Sequence, residues 1–427
     1  MQPRNTANDP LYRHWESWIK KSEKLSADAG RRGISCKQLR VGIATTLTQN
    51  YNYGAILQAY ALQRFLSLFA PNCRQIAYDK QKNYHGARVT PSDGASKARM
   101  AAANGVIKRK RAMQRFIDTI PQSAIVYNNV NILSSLNSFD AFVCGSDVIW
   151  SNRSSLSEHS FYWLNFVPGG RKIKIAYAPS LRVQDWSVPE LIQIRRFASS
   201  FDALSVRESA SREFLERLLD GEKPVRHTLD PTLLVPAEAW RQMSRPASSP
   251  KVDGKFIFAY MLGDNPGQRA QVVEFARSKR LPIVTLPHCV TYRADADGFG
   301  DARLYDIDPA QWVWLMDHAE FVFTDSFHGA IFSAIFQRRF YIFKRRMSGQ
   351  WSSLGERVKS LTAMWKIESS VLTDEGGLRE IERVPDINYA RLEAITERMQ
   401  NSSAEFIVNA LHAGVSKLNK INTNNNI

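Results

Sequence analysis

The chain has 427 residues, of which 44% are hydrophobic and 11% aromatic, enough for two or three folded domains rather than a disordered polymer. Lys and Arg number 57 against 41 Asp and Glu, and the net charge of +16 at pH 7 favours anionic partners such as nucleic acid, acidic lipid or phosphorylated metabolites. The N-terminal segment is polar and no apolar run reaches about 18 residues, so the sequence predicts neither a secretory signal nor a membrane span.

The four cysteines, Cys36, Cys73, Cys144 and Cys289, are far apart and form no C-x-x-C pair. This spacing predicts neither a disulfide framework nor a zinc site, and it favours a reducing, cytoplasmic compartment. The positive charge adds the expectation of peripheral contact with the acidic inner face of a membrane.

Strands alternate with helices from residue 39, after an accessory N-terminal arm (residues 1–38) that carries one short helix. Apolar residues repeat at helical spacing over 55–69. Residues 92–118 are basic and rich in alanine, which is typical either of a solvated helix face or of a patch for an acidic partner. The N-terminal domain covers residues 39–245, and its strands are predicted at 39–47, 139–147, 171–180, the start of 201–219, and 225–234.

A stretch rich in Pro and Ser, residues 245–254, marks the best domain boundary. The alternation then restarts and forms a C-terminal domain over 255–378, followed by helices over 379–418 and a disordered tail over 419–427. Strands that alternate with helices predict mainly parallel sheets covered on both faces. The predicted fold class is α/β, with two doubly wound Rossmann-like domains that face a cleft, as in GT-B transferases, and a C-terminal helical segment.

Ligands of such sheets bind beyond the carboxyl ends of the strands, so the polar residues that follow each strand are the candidates. After the strand 39–47, Gly54 allows a tight turn into a helix whose free amides can hold an anion. Asn50 and Asn52 offer side-chain hydrogen bonds there. The alternative is an ordinary loop capped by asparagine.

Two more clusters follow strands of the N-terminal domain. Ser146 and Asp147 follow one strand and would contact a ligand or cap the next segment, and Trp150 nearby would stack on a sugar or fill the core. Arg207 follows another strand, where a guanidinium can grip a carboxylate or phosphate with two hydrogen bonds. The alternative for this arginine is an ion pair with Glu208.

The segment TDSFHG, residues 324–329, lies between an apolar strand pattern and an apolar helix pattern. Asp325 or Ser326 can cap the helix that follows. His328 then falls in the first helical turn, where backbone amides and the helix dipole favour anions, and Gly329 permits close approach of a ligand. A histidine between apolar runs is usually a core residue, but its place after a strand favours a function.

Two cations follow later in the same domain. Lys344 ends a strand and would face the cleft, and Arg357 begins a helix. The sequence contains no H-E-x-x-H, Walker A, G-x-G-x-x-G or G-x-S-x-G motif, so it predicts no metal site, no dinucleotide or P-loop site and no serine nucleophile. Its basic residues are dispersed without a recognised reading motif, so nucleic acid is not an expected partner.

Seven stretches together resemble the polysaccharide pyruvyl transferase family, in the order in which the family has them, and they span roughly residues 40–370. They are residues 52–66, 139–150, 176–180, 204–209, 229–234, 324–336 and 356–367.

The resemblance implies a GT-B-like fold, with a sugar acceptor on the N-terminal domain and phosphoenolpyruvate on the C-terminal domain. It implies transfer of a pyruvyl group to a sugar of a surface polysaccharide or exopolysaccharide, or of its lipid-linked precursor, with a ketal and phosphate as products and no metal or organic cofactor. The family's histidine and arginine at phosphoenolpyruvate correspond to His328 and Arg207, and Lys344 is the nearest match to a later basic residue. Val148 and Ser151 stand where the family often has Gln and Asn, so the acceptor sugar is left open.

The chemistry of an enol phosphate suggests a role for each of these residues. His328 would protonate the methylene carbon, Arg207 and Lys344 would hold the carboxylate and phosphate, and Asp147 or Asp325 would act as the base for the sugar hydroxyls. Two other functions stay open because one fold hosts many activities. They are a GT-B glycosyltransferase that uses a nucleotide sugar, and a non-catalytic protein of polysaccharide assembly.

Overall fold

The computed structural model describes most of the chain, namely residues 8–28, 33–47, 51–79, 94–151, 153–157, 160–183, 186–245, 250, 252–289, 296–347, 350–351 and 355–424. The predicted ligand-binding residue Asn50 and much of the predicted boundary 245–254 lie outside the described residues.

The α-helices are α1 (Pro10–His14), α2 (Glu16–Asp28), α3 (Tyr53–Leu66), α4 (Gly94–Ile117), α5 (Val188–Ser199), α6 (Ser209–Leu219), α7 (Ala237–Met243), α8 (Pro266–Lys279), α9 (Pro309–His318), α10 (Phe327–Ile335), α11 (Gly355–Trp365), α12 (Gly377–Arg383) and α13 (Tyr389–Asn424). The strands are β1 (Arg40–Ala44), β2 (Asn72–Gln75), β3 (Ala141–Cys144), β4 (Ile173–Ala176), β5 (Ala203–Val206), β6 (Val225–His227), β7 (Ile257–Tyr260), β8 (Ile283–Thr285), β9 (Ala302–Arg303), β10 (Phe321–Thr324), β11 (Arg339–Phe343), β12 (Arg346–Met347), β13 (Gln350–Trp351) and β14 (Val371–Leu372).

The strands form two six-stranded sheets, ordered β2-β1-β3-β4-β5-β6 and β14-β11-β10-β7-β8-β9, beside a short β12-β13 pair. Every pairing within the two large sheets is parallel. The central strands are buried along their length, as expected where helices cover both faces of a parallel sheet. The predicted α/β class with two doubly wound sheets and a C-terminal helical segment is confirmed.

The predicted accessory arm packs into the core of the N-terminal domain. The sequence predicts one short helix there, whereas the structure has α1 and α2 in succession. Leu11, Trp15 and Ile19 are all buried, and their spacing of four residues makes one apolar stripe across both helices. The indole of Trp15 also donates to the carbonyl of Leu234 at 2.8 Å. The arm is therefore part of the domain rather than an appendage.

The predicted disordered tail is also corrected in part, because α13 continues through residue 419 as far as Asn424. Asn419 accepts a hydrogen bond from the Ile34 amide at 2.9 Å and donates to the Ile34 carbonyl at 3.0 Å. These two hydrogen bonds stabilise the polar end of α13, which the local sequence alone would leave disordered. Residues 425–427 lie outside the described residues.

The two domains share a continuous hydrophobic core. The Tyr53 ring at the start of α3 stacks on Trp312 of α9, with centroids 5.7 Å apart and planes at 12°. Its hydroxyl donates to the carbonyl of Ile307 at 2.7 Å. The start of α3 is thereby held against the C-terminal domain.

The basic helix α4 combines a solvated face with one buried arginine. Lys108 and Arg111 are exposed, as the solvated-helix alternative predicts, but Arg109 is 2% exposed. Its guanidinium donates to the carbonyls of Pro287 and Leu304 in the C-terminal domain, at 2.8 and 3.1 Å. Helix α4 therefore also joins the domains.

No helix among the described residues combines the length and the apolar character that a membrane span requires.

Candidate active site

The point where strand order reverses lies near the middle of each sheet. In the first sheet, the chain leaves β1 towards β2 on one side and β3 on the other, and in the second it leaves β7 towards β8 and β10. Diverging connections open a crevice at the carboxyl ends of these central strands, where doubly wound folds bind ligands. The loops after β1 and β3 and after β7 and β10 are therefore where a site is expected.

His328 lies at the second of these crevices. Ser326 is the N-cap of α10, and its hydroxyl accepts from the Gly329 amide at 3.3 Å. This cap places His328 in the first helical turn, where it is 6% exposed. The imidazole Nε2 lies 3.5 Å from Oδ2 of Asp230, a carboxylate of the N-terminal domain. The histidine thus stands at the contact between the domains, within reach of a counter-charge.

Gly54, in the first turn of α3, lies directly against the imidazole. A methyl group built on Gly54 would stand 2.1 Å from His328 Nδ1 and 2.4 Å from Cγ, far inside contact distance. Asn52 caps this helix by accepting from the Ala55 amide at 3.3 Å. The predicted loop after β1 and the predicted histidine therefore meet across the domain interface.

Arg207 and Asp230 form a buried ion pair beside His328. Arg207 Nη1 donates to Asp230 Oδ2 at 2.6 Å, and its Nε donates to Glu208 at 3.1 Å. Both side chains of the Arg207–Asp230 pair are at most 2% exposed. Burial would raise the pKa of Asp230, but the charges of His328 and Arg207 outweigh it and hold that pKa well below its usual range. Asp230 is therefore a carboxylate that lies between Arg207 and His328.

Arg357 brings a second guanidinium to the cluster. The ring of Phe327 lies 4.5 Å from the guanidinium carbon of Arg207 and 5.5 Å from that of Arg357. Arg357 Nη1 is 4.0 Å from Asp147 Oδ1. Burial, followed by repulsion from Arg207, lowers the pKa of Arg357 to about 10. The side chain is still charged at neutral pH, but an added anion would stabilise it.

Arg345, rather than the predicted Lys344, lies near this cluster, since its charge is among those that lower the pKa of Arg357. Lys344 is exposed, whereas the Arg345 side chain is 11% exposed and its Nε lies 3.6 Å from Asp325 Oδ1. Asp325 also accepts from the amides of Leu262 and Gly263, at 2.8 and 2.6 Å. The carboxylate joins the ends of β10 and β7, so its oxygens are already engaged.

Four buried nitrogens of the cluster have no hydrogen-bond partner among the described residues. They are Arg207 Nη2, His328 Nε2, Arg345 Nε and Arg357 Nε. The carboxylate oxygens beside His328 Nε2 and Arg345 Nε, at 3.5 and 3.6 Å, are too far away for a well-formed hydrogen bond. Buried polar groups are nearly always paired, since an unmade hydrogen bond costs about 1–3 kcal/mol. Donors that converge from two domains without acceptors indicate a binding site for an anion with several oxygens.

Ser146 and Asp147 lie beside the cluster and also make structural contacts. Ser146 is fully buried, and its hydroxyl donates to the Ala178 carbonyl at 2.6 Å and lies 3.5 Å from Asp230 Oδ2. Asp147 accepts from Thr46 at 2.8 Å. A methyl group on Gly329 would stand 2.3 Å from Thr324 Oγ1, so this glycine permits close packing on β10.

Trp150 is wholly buried, which leaves no ring face for a sugar. Its ring stacks on that of Trp163, with centroids 3.9 Å apart. Of the two alternatives for this residue, the structure shows the core position.

Sequence reasoning missed Asp230, Arg345 and Phe327 as site residues. Asp230 had a usable signal, because it is a polar residue that closely follows the strand β6. Arg345 had no such signal in the sequence. Neighbouring side chains at a strand end point to opposite sides, and the run KRR does not show which of its positions faces the site.

No group of three or more His, Cys, Asp or Glu side chains within the described part of the chain is arranged to hold a metal ion.

Replacing Gly54 with alanine is expected to lower the turnover of the site by about 100-fold, because the added methyl group would displace the buried imidazole and misplacement of about 1 Å can cost that much. Alanine in a helix otherwise stabilises by roughly 0.5–1 kcal/mol over glycine. Gly169→Ala is the matched control, since a methyl group there meets nothing within 4 Å. Equal activity of the two variants in a steady-state assay would contradict the contact.

A family model described as polysaccharide pyruvyl transferase matches residues 52–345. No curated protein matches the chain. Among solved structures, the UDP-GlcNAc 2-epimerase from Methanocaldococcus jannaschii matches with a TM-score of 0.45 and 12% identity, over 84% of this chain and 92% of that one. The UDP-GlcNAc 2-epimerase from Neisseria meningitidis matches with a TM-score of 0.46 and 12% identity, over 87% of this chain and 99% of that one. The wall teichoic acid polymerase TagF matches with a TM-score of 0.46 and 13% identity, over 97% of this chain and 98% of that one.

Proposed function

The chain belongs to the polysaccharide pyruvyl transferase family, and we propose that it transfers the pyruvyl group of phosphoenolpyruvate to a saccharide. The product would be a ketal between pyruvate and two sugar hydroxyls, with release of phosphate. The observation that carries the proposal is the set of buried donors on Arg207, Arg345, Arg357 and His328 that lack acceptors among the described residues.

Phosphoenolpyruvate suits these donors because it carries a carboxylate and a phosphate on neighbouring carbons. Arginine N–H groups form short, charge-assisted hydrogen bonds with both kinds of anion. The cavity between Arg207, Phe327 and Arg357 measures about 20 Å³, room for about one water molecule. We therefore propose that the donor binds on the side of these residues nearer to Asp147, where the anion would also offset the repulsion between Arg207 and Arg357.

His328 is the proposed proton donor to C3 of phosphoenolpyruvate. As C3 gains the proton and becomes a methyl carbon, C2 becomes electrophilic and a sugar hydroxyl attacks it. An imidazole suits this step because its ordinary pKa lies near neutral pH. Asp230, 3.5 Å from Nε2, would stabilise the imidazolium before transfer.

The second half of the reaction closes the ketal. The bond between C2 and the phosphate oxygen breaks, and the second hydroxyl attacks C2. The two sugar hydroxyls together lose two protons. One of these balances the proton delivered to C3, and the other leaves on the phosphate, so no oxidant or reductant is consumed. The pyruvyl group and the leaving group both come from phosphoenolpyruvate, and the proposed reaction therefore requires no separate cofactor. Asp147 is the better candidate base, because its Oδ1 has only Arg357 nearby among the described residues, at 4.0 Å, whereas both oxygens of Asp325 accept from backbone amides.

The proposal is tested by measuring inorganic phosphate released from phosphoenolpyruvate with a panel of nitrophenyl and lipid-linked sugars. We expect release that requires both substrates, and a ketal in the product by mass spectrometry. Turnover of UDP- or CDP-activated sugars without phosphoenolpyruvate would instead support a glycosyltransferase.

Arg357→Gln is expected to weaken phosphoenolpyruvate binding about 10- to 100-fold, since a hydrogen bond to a charged group contributes about 1.5–3 kcal/mol. The free protein should not lose stability, because burial and Arg207 already disfavour the charge of Arg357. Thermal melts with and without phosphoenolpyruvate measure both effects. Lys359→Gln, an exposed change on the same helix, is the control, and a normal ligand-induced shift in Arg357→Gln would count against the donor site.

The expected peripheral contact with an acidic membrane surface stays a prediction. A lipid-linked acceptor would bring the protein to such a surface, and a net charge of +16 would favour the encounter.

A further inference from the structure

A second cavity, of about 420 Å³, opens in the N-terminal domain. It lies between the chain after β2 (Tyr78 and Asp79), the segment 128–130 and the chain around residues 154–162. Its volume falls in the range of small-molecule binding sites, about 300–1,000 Å³. None of the residues assigned above to the phosphoenolpyruvate site lines it, so it is a separate compartment.

The chemistry of the cavity differs from that of the arginine cluster. Its lining includes the amides of Asn128 and Asn129 and the hydroxyls of Ser154, Ser157 and Ser160. None of the described lining residues is Lys or Arg, although the chain carries a net charge of +16. Asp79 is the carboxylate among them. The described part of this surface offers many donors and acceptors and no Lys or Arg for a phosphate, so it favours a neutral ligand rich in hydroxyl groups.

An aromatic wall closes one side of the cavity. The rings of Tyr78 and Phe161 stack with centroids 4.0 Å apart and planes at 4°, and Tyr162 lies next to them. The Tyr78 hydroxyl donates to the side-chain oxygen of Asn129, which orients that amide. The three rings are 3–7% exposed, so they form a rigid support that fixes the polar groups of the cavity rather than an open ring face, and a ligand that binds those groups orders few side chains.

Asp147 lies near both the arginine cluster and one wall of this cavity. Its carboxylate is 4.0 Å from Arg357. Burial raises the pKa of Tyr162, which lines the cavity, and the charge of Asp147 contributes to that shift. The proposed base is therefore on the side of the cavity where Tyr162 lies.

We infer that this cavity binds a neutral sugar unit of the acceptor saccharide and so determines which acceptor presents its hydroxyls to the pyruvyl donor. The assignment of the sugar as acceptor rests on the proposed function, whereas the binding of a neutral sugar follows from the cavity itself. The inference predicts that the acceptor saccharide contains at least one uncharged sugar unit.

Filling the cavity tests the inference. Ser154 and Ser157 are exposed, so Ser154→Trp and Ser157→Trp should fold normally while their indoles occupy the space. Ser402→Trp, on the exposed face of α13, is the matched control. Saturation-transfer NMR with the methyl glycosides of glucose, galactose, mannose and N-acetylglucosamine, and with inorganic phosphate as a comparator, measures binding without phosphoenolpyruvate.

The wild type and Ser402→Trp should bind at least one of these glycosides, and both cavity variants should bind it at least tenfold more weakly. No binding by the wild type, undiminished binding by the cavity variants, or displacement of the glycoside by phosphate would overturn the inference. The melting shift with phosphoenolpyruvate, recorded in parallel, separates the two ideas. If phosphoenolpyruvate shifts the melting temperature normally but the cavity variants bind the glycoside as well as the wild type does, only the inference about the cavity is rejected. If the cavity variants lose glycoside binding but phosphoenolpyruvate does not shift the melting temperature of the wild type, only the proposed reaction is rejected.

Discussion

Replacing His328 with glutamine is expected to lower phosphate release from phosphoenolpyruvate by at least about 100-fold, because a positioned general acid typically contributes 10²- to 10⁴-fold. Glutamine keeps a polar side chain of similar reach in a site that is 6% exposed but cannot deliver a proton. The loss should appear in kcat. The melting shift with phosphoenolpyruvate should remain, because the arginines still bind the anion.

His318→Gln is the control for this variant, since His318 is exposed at the end of α9 and lies outside the cluster. It should retain wild-type turnover. If His328→Gln kept normal kcat with its best acceptor, the role of proton donor would have to pass to another group. If it lost the melting shift as well, His328 would belong to the binding of the donor and not specifically to its protonation.

Replacing Asp230 with asparagine is expected to lower the free energy of unfolding by about 3–5 kcal/mol, the usual cost of breaking a buried ion pair on one side. Arg207 would lose the carboxylate at 2.6 Å, and His328 would lose the one at 3.5 Å. Turnover should fall as well, because the imidazolium loses its counter-charge. Chemical denaturation at neutral pH and the phosphate assay measure the two effects.

The pH dependence of stability gives a second readout for Asp230. Its folded-state pKa lies well below the value of about 3.9 expected in the unfolded chain. The stabilisation it provides is therefore fully present above about pH 4 and is lost as the pH falls through the folded-state pKa. The stability difference between the wild type and Asp230→Asn should shrink as the solution is acidified below pH 4.

Asp386→Asn is the matched control for Asp230, because Asp386 pairs with Arg339 but is largely exposed. Exposed pairs contribute about 0–1 kcal/mol. A similarly small loss for Asp230→Asn would show that the buried carboxylate is not needed to hold the two cations.

The succession of elements around His328 could be predicted because each step depends on local sequence. The apolar run before Thr324 predicts a buried strand, and Ser326 is a common N-cap residue. These two features alone set the histidine in the first turn of a helix at a strand's carboxyl end. The helix start at Asn52 follows from the same local chemistry. The order of strands and helices along the chain can be predicted for the same reason.

The partners of His328 could not be predicted in this way. Gly54 and Asp230 belong to the other domain, and their distances to the imidazole depend on how two sheets pack together. Lys344 and Arg345 show the same limit on a smaller scale, since the residue at which β11 ends decides which of two adjacent cations faces inwards. Trp150 was ambiguous because an aromatic side chain after a strand suits a core and a sugar site equally well.

The α/β class, the two doubly wound halves, the family and the position of His328 after a strand can all be predicted from the sequence, because hydrophobic periodicity, capping and motif order are local properties. The contact of Asp230 with Arg207 and His328, the positions of Arg345 and Arg357, and the separate cavity that Asp79 helps to line become visible in the folded chain. Those arrangements arise from contacts between residues far apart in the chain. Strand order and domain packing set such contacts, and no local preference encodes them.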